Sequence, residues 1–411
     1  MIRRCALIGL ALLAAAQSAR AERLADWLRI DGYADLRVIQ TDDERTSREG
    51  GTGRLRYGGD ANGARSLVRA EAGFVPVIQF SGELDAVGTF VLDGGQPAYF
   101  GLAEGYVRWK PAPTSDWRFT VRAGFLIPPF SLSNDGIAWT SRTTLTWSAI
   151  DTWLGEEVRA LGVEPKVEYW FDERDHIDVV AGLFTDNDIS GTILAQRGWM
   201  LHDQLAVTTT RLKGPTAYDN IAVRRQTITR PFVELDDRPG WYGLVTAARD
   251  GVGKIAFGHY DNLADPRAAG TDVAGWRTHF NTLGVQYDLP DLHTVLTAQG
   301  MKGYTALRIF SPISTVFESV YGSVSHDLAR EHKVTARWDW FRTVSNSLPT
   351  SLYRGEIGQA ATAAYIWRPA TSWRFTVEAV HVRSARALRT PAYQSYITNE
   401  TQLQAGVRFF F

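Results

Sequence analysis

From residue 28 onward the chain alternates apolar and polar side chains with a period of two, the signature of strands that present different faces to different surroundings. Ile30, Gly32, Ala34, Leu36 and Val38 fall on one face, and Asp31, Tyr33, Asp35 and Arg37 on the other. The split recurs with Val68, Ala70, Ala72 and Phe74 against Arg69, Glu71 and Gly73, and with Phe80, Gly82, Leu84 and Ala86 against Ser81, Glu83 and Asp85. Trp117, Phe119, Val121, Ala123 and Phe125 alternate with Arg118, Thr120, Arg122 and Gly124. Near the end, Val334, Ala336, Trp338 and Trp340 alternate with Lys333, Thr335, Arg337 and Asp339. The pattern predicts sixteen strands, at 28–39, 66–75, 79–88, 100–110, 117–126, 157–171, 176–184, 241–249, 253–261, 278–289, 292–301, 315–326, 332–342, 358–368, 372–382 and 402–411. The stretch 221–236 could add another, but a seventeenth strand would break the up-down parity, so it is assigned to a loop.

Soluble sandwiches also alternate, so the period alone does not decide the architecture. Two further features do. The apolar faces continue from strand to strand, and the polar faces carry full charges. A lipid-facing exterior around a water-filled lumen accounts for both. Short Pro-, Gly- and Asp-rich turns such as "KPAPTSD", "FDERDH" and "RDGVG" alternate with long polar stretches near 40–64, 88–98, 127–156 and 185–240. Short turns on one side and long loops on the other characterise an all-β, antiparallel, up-and-down transmembrane barrel. Trp109, Trp117, Trp367 and Trp373 bracket two short turns, and Tyr169, Trp170, Trp241, Tyr242, Tyr260 and Tyr287 lie at strand ends, where an interfacial aromatic girdle is expected. "WKPAPTSDWRFTVRA" at 109–123 resembles "WRPATSWRFTVEA" at 367–379, as two hairpins meeting the same turn and interface demands would.

Composition adds compartment and excludes partners. Residues 1–21 read as a secretory signal peptide: Arg3 and Arg4, an apolar core from Cys5 to Ala16, then Ala19-Arg20-Ala21 as cleavage site. Residues 22–411 then form one barrel domain. Cleavage would leave 41 basic against 45 acidic residues and no cysteine, which excludes disulfides and thiolate metal sites. The near-neutral balance gives no electrostatic case for nucleic acid.

The last strand, "QLQAGVRFFF", places Leu403, Ala405, Val407, Phe409 and Phe411 on one face. Such a strand ending in Phe resembles the barrel-assembly signal of bacterial outer-membrane proteins, which implies the assembly machinery and outer-membrane lipids as partners. The organisation is similar to that of 16-stranded Gram-negative porins, and "RAGFLIPPFSLSNDGIAWTSR" at 122–142 resembles the strand and "PPF" loop of the phosphate-selective group. The resemblance implies a homotrimer, a lumen narrowed by an inward loop, and a basic ladder for anions. The charge pattern departs from a ladder. Lumen-facing Arg37, Arg69, Arg108, Arg122, Arg337 and Arg408 are interleaved with Asp31, Asp35, Glu71, Glu83, Glu104, Asp339 and Glu378.

Catalytic signatures are missing: there is no GxSxG, HExxH or Walker loop, so no cofactor is expected. "DNDISG" at 186–191 opens like a calcium loop, but Arg197 stands where a bidentate Glu would be needed. The main functional candidate is loop 127–156. Pro128 and Pro129 end the ladder, Asp135, Arg142, Asp151 and Glu156 supply charge, and Trp139, Trp147 and Trp153 supply bulk. Folded inward, it would form a constriction whose charges and width set selectivity. The expected function is passive diffusion of small hydrophilic solutes or ions. A plugged transporter is disfavoured by the short lead before the first strand.

Overall fold

A computed structural model describes residues 22–94, 99–213, 228–271, 273–309, 312–346, 355–386 and 395–411. The expected signal peptide, and residues 221–227 of the stretch assigned to a loop, lie outside them. Sixteen strands close into one antiparallel barrel. The first seven are β1 (Leu28–Thr41), β2 (Ser66–Gln79), β3 (Leu84–Asp93), β4 (Phe100–Trp109), β5 (Trp117–Leu126), β6 (Ala160–Trp170) and β7 (Asp175–Thr185). The other nine are β8 (Gly240–Arg249), β9 (Gly253–Asp261), β10 (Arg277–Leu289), β11 (Thr294–Leu307), β12 (Ile313–Ala329), β13 (His332–Ser345), β14 (Glu356–Ala370), β15 (Trp373–Arg386) and β16 (Ile397–Phe410).

Each strand pairs with its neighbours in sequence, and β16 closes on β1 from Gln402↔Thr41 to Phe410↔Tyr33. The seam is completed by Phe411. Its backbone exchanges hydrogen bonds of 2.9 and 3.1 Å with Gly32, and its ring lies where a Cβ on residue 32 would come within 2.3 Å. Only glycine admits that contact. Glu22–Ala25 folds back on the start of β1.

The alternation sorts the faces as expected. Leu36, Val38, Val107, Phe119, Val163, Leu283, Val377 and Leu403 are exposed on the outside, whereas Asp35, Arg37, Glu164, Arg337, Asp339 and Glu378 are buried inside. A closed barrel with an apolar exterior satisfies every backbone group without an edge, which is the condition for spanning a bilayer with strands. No helix among the described residues is long and apolar enough to cross a membrane.

Three expectations need correction. The second hairpin turns at residues 80–83, not at 76–78: Phe80 N and Ser81 N donate to Leu84 O, and Ser81 Oγ accepts from Glu83 and Leu84 N–H groups. Pro76 therefore lies within β2, and Glu83 belongs to a turn and not to the lumen wall. Residues 157–159 do not begin β6, because Glu157 ends a helix. Trp109, Trp117, Trp241, Tyr287 and Trp367 are exposed outside, but Tyr242 and Tyr260 are 1% and 0% exposed and point inward. Their hydroxyls bond Glu164 and Asn187, which an interfacial position would not offer.

Candidate constriction and cavity

Residues 127–159 leave β5 and cross the lumen. Pro128 and Pro129 stop ladder pairing, and the chain then reaches the wall built by β13–β15, on the far side of a sixteen-strand ring. Glu378 on β15 accepts from Leu145 N at 2.6 Å and Thr146 N at 2.9 Å. Arg337 on β13 donates to Thr146 O at 2.7 Å and Trp147 O at 2.9 Å, while Asp339 accepts from Ala149 N at 3.1 Å. Inward wall charges thus satisfy backbone groups of a loop that has no ladder of its own. Near the tip, Arg374 and Arg368 donate to Ser141 O and Arg142 O. Gly73 on β2 leaves room for the tip, since a Cβ there would lie 2.8 Å from that of Ala138.

The loop returns through helix α1 (Ala149–Glu157), every residue of which is buried. Ser148 caps it, accepting from Asp151 N at 3.0 Å, and Asp151 in turn accepts from Ser133 and Ser148 hydroxyls at 2.5 and 2.7 Å. Trp153 packs edge-on against Trp199 and Phe280.

Two further segments pack into the same interior. Residues 186–212, with the one-turn helix α2 (Thr192–Arg197), are almost wholly buried, and so are Thr46, Arg54, Leu55, Arg56 and Tyr57 of segment 42–65. Ion pairs hold them. Asp203 bridges Arg37 of β1 and Arg56, and Arg56 also reaches Glu71 at 2.5 Å and Asp93 at 2.6 Å. Arg54 pairs with Glu356 at 2.7 Å. Glu156 of α1 binds Arg197 and, at 2.8 Å, His202 Nε2. His202 Nδ1 accepts from Gln204 N, so Nε2 carries the proton, and burial pushes the imidazole down to about 4 despite the neighbouring Glu156.

At the long-loop side Asp188 meets Glu234 and Asp236, with carboxylate atoms within 4.8 Å of one another. Leu235 N donates to Asp188, and the backbone of Asp186, Asp236 and Asp237 donates to Glu234. Burial, aided by the Glu234 carboxylate and opposed by Leu235 N–H, pushes Asp188 up to about 8.

The charges anticipated from sequence therefore divide into three groups. Arg37, Asp151, Glu156, Arg337 and Arg408 are locked in buried contacts, Arg408 to Asp35 at 2.8 Å. Asp135 and Arg142 pair with each other at 3.2 Å at the exposed loop tip, and Arg69 lies over the Tyr57 ring. Arg108 and Arg122 line a cavity of about 660 Å³ between the β4–β10 wall and Pro129–Leu132 of the crossing loop. That cavity extends to the short turn at Asp250–Gly251. Charges of both signs line it: Arg108, Lys166 and Lys254 with Glu168, Asp178 and Asp288, Lys166 pairing with Glu168 at 3.0 Å and Asp178 at 3.1 Å. Arg122 is held by Glu164 at 2.7 Å and Glu104 at 3.2 Å. Arg56 and Asp203 were not singled out from sequence, because they lie in aperiodic segments and gain their roles only through contacts far along the chain.

No family model matches the chain, and no curated protein is similar to it at the level of sequence. Its fold is that of solved outer-membrane barrels. An anion-selective porin from Comamonas acidovorans superposes with a TM-score of 0.53 at 13% identity, covering 93% of this chain and 99% of that one. The outer-membrane channel DcaP of Acinetobacter baumannii gives 0.52 at 11% identity, with 93% and 97% covered. In-vitro folded OmpT, an outer-membrane protein of Vibrio cholerae in trimer form, gives 0.52 at 12% identity, with 94% and 100% covered.

Proposed function

We propose that this chain is a Gram-negative outer-membrane porin that passes small hydrophilic solutes or ions down their gradient. It acts as a trimer, and residues 127–159 form its constriction. The observation that carries the reading is the crossing loop, bound to the far wall by Arg337, Asp339 and Glu378 and leaving the charged cavity beside it. A lumen narrowed to one side raises the influence of each wall charge on a passing solute. Cations and anions paired side by side along the cavity wall favour neither ion sign strongly. No covalent step is required, and the buried carboxylates are engaged in holding loops.

Planar-bilayer recording of the refolded protein tests this. Discrete current steps with a reversal potential near zero in a potassium chloride gradient are expected. A large reversal potential of the anion-selective sign would replace the mixed-charge reading with an anion channel. Absence of any steps would contradict the channel itself.

A further inference from the structure

Most charges on the wall of the cavity beside the crossing loop neutralise one another. Arg108 pairs with Asp85 at 2.6 Å, Arg122 with Glu164 at 2.7 Å, and Lys166 with Glu168 and Asp178 at 3.0 and 3.1 Å. Lys110 and Asp250 lie exposed in the turns that rim it, as does Arg249, which reaches Asp175 at 3.5 Å. Two half-buried wall charges are exceptions among the described residues. Lys254 on β9 has no hydrogen-bond or ion-pair partner for its ammonium group, and Asp288 on β10 has only the Gln286 amide, at 3.3 Å.

The ladder holds these two near each other without joining them. Lys254 stands opposite Gln286, and Asp288 N donates to Val252 O at 2.7 Å, so Asp288 is one diagonal step from Lys254. Diagonal neighbours on one face lie about 7–8 Å apart. The residues around them are small. Ala248 is the other register partner of Lys254, and Ala256 pairs with Gly284 on the next rung toward the long loops. Leu132 of the crossing loop stands over Gly284, where a Cβ would come within 2.3 Å of it. The loop therefore packs on the wall just above Lys254, and the cavity of about 660 Å³ opens from there toward the short turn. That volume falls within the roughly 300–1,000 Å³ usual for small-molecule sites.

A solute anion entering this space is drawn to Lys254 and repelled by Asp288, and a solute cation meets the reverse. A small zwitterion satisfies both, its carboxylate on the Lys254 ammonium and its ammonium on the Asp288 carboxylate. Charge-assisted hydrogen bonds are stronger than neutral ones, which separates a zwitterion from an uncharged solute of equal size. We propose that Lys254 and Asp288 form a subsite for a small zwitterion, an α-amino acid, on the short-turn side of the constriction. The subsite rests on the channel reading above and names the solute class for it. A dianion is a poorer occupant, because two acids share Lys166 and Asp288 stands beside Lys254.

Saturation-transfer NMR of the full-length protein in detergent tests binding without any reading of conductance. The probes are L-alanine, L-lactate and lactamide, which are alike in size and differ in charge. Alanine is expected to give the strongest transfer. In Lys254→Gln and in Asp288→Asn its apparent affinity falls about two- to fivefold, the range of one half-exposed ionic contact. Liposome swelling then reads transport: the wild type admits alanine faster than lactamide, and each variant admits the two at equal rates. Heat-modifiable migration checks that both variants fold. Equal transfer from alanine and lactamide overturns the proposal, as does an alanine affinity that neither substitution changes. So does lactate binding as tightly as alanine with no effect of Asp288→Asn, which marks a subsite for anions. Swelling by neither solute contradicts the channel, whereas alanine transfer weakened in both variants supports the subsite whatever the swelling shows.

Discussion

Glu156 shows how single residues hold the interior. Its carboxylate is 1% exposed and neutralises Arg197 while accepting from His202, so it joins α1 to the segment that follows β7. Removing one partner from a buried ionic group costs about 3–5 kcal/mol, because the remaining charge is left uncompensated. Glu156→Ala is therefore expected to lower the unfolding midpoint in denaturant clearly, while Glu156→Gln, which keeps a hydrogen-bonding side chain, has a smaller effect. Equal midpoints for both variants and the wild type would remove Glu156 from this role. Asp188 gives a pH dependence of known sign. Its folded value of about 8 lies above the ordinary 3.8, so its contribution is complete below about pH 4 and is lost as pH rises through 8. Hydrogen exchange in 228–239 should accelerate from pH 5 to 9 beyond the intrinsic chemical trend. Asp188→Asn should flatten that excess, and an unaltered profile would mean that another group governs the contact.

At the scale of elements, the crossing loop depends on the wall it touches. Arg337→Ala strips hydrogen bonds from Thr146 O and Trp147 O and leaves Asp339 without its cation. The loop should then fluctuate, seen as increased open-channel current noise. Quiet currents like those of the wild type would show that the remaining Glu378 contacts suffice. The strands around the loop were legible in sequence because one lipid face and one polar face force a period of two. The second hairpin shows the limit of that signal: Pro76 at the start of 76–78 reads as a break, but the turn is set by the Ser81 hydroxyl. Tyr242 and Tyr260 read as girdle residues from sequence because position along a strand does not reveal that Glu164 and Asn187 accept their hydroxyls inside. The inward course of 127–156 was readable from its prolines, charges and tryptophans. The filling of the lumen by 42–65 and 186–212 was not. A short N-terminal lead argued against a plug, yet contacts such as Arg54 with Glu356, some three hundred residues apart in sequence, bring these loops inside.

For the whole molecule, closure rests on the seam at β16 and β1. Phe411→Ala would uncover Gly32 and remove the last ring of the terminal stripe. A smaller heat-modifiable fraction in the outer membrane is expected, and an unchanged fraction would separate the terminal ring from assembly. Among the described residues, the closed barrel holds the three inward segments and the charged cavity beside the crossing loop, which is proposed as the narrow part of the path. The most direct measurement is single-channel conductance of the purified wild type beside a variant lacking residues 133–148. Discrete steps are expected in both, larger in the deletion variant. Steps of equal size would contradict this, because the loop that spans the lumen would then not be what narrows it.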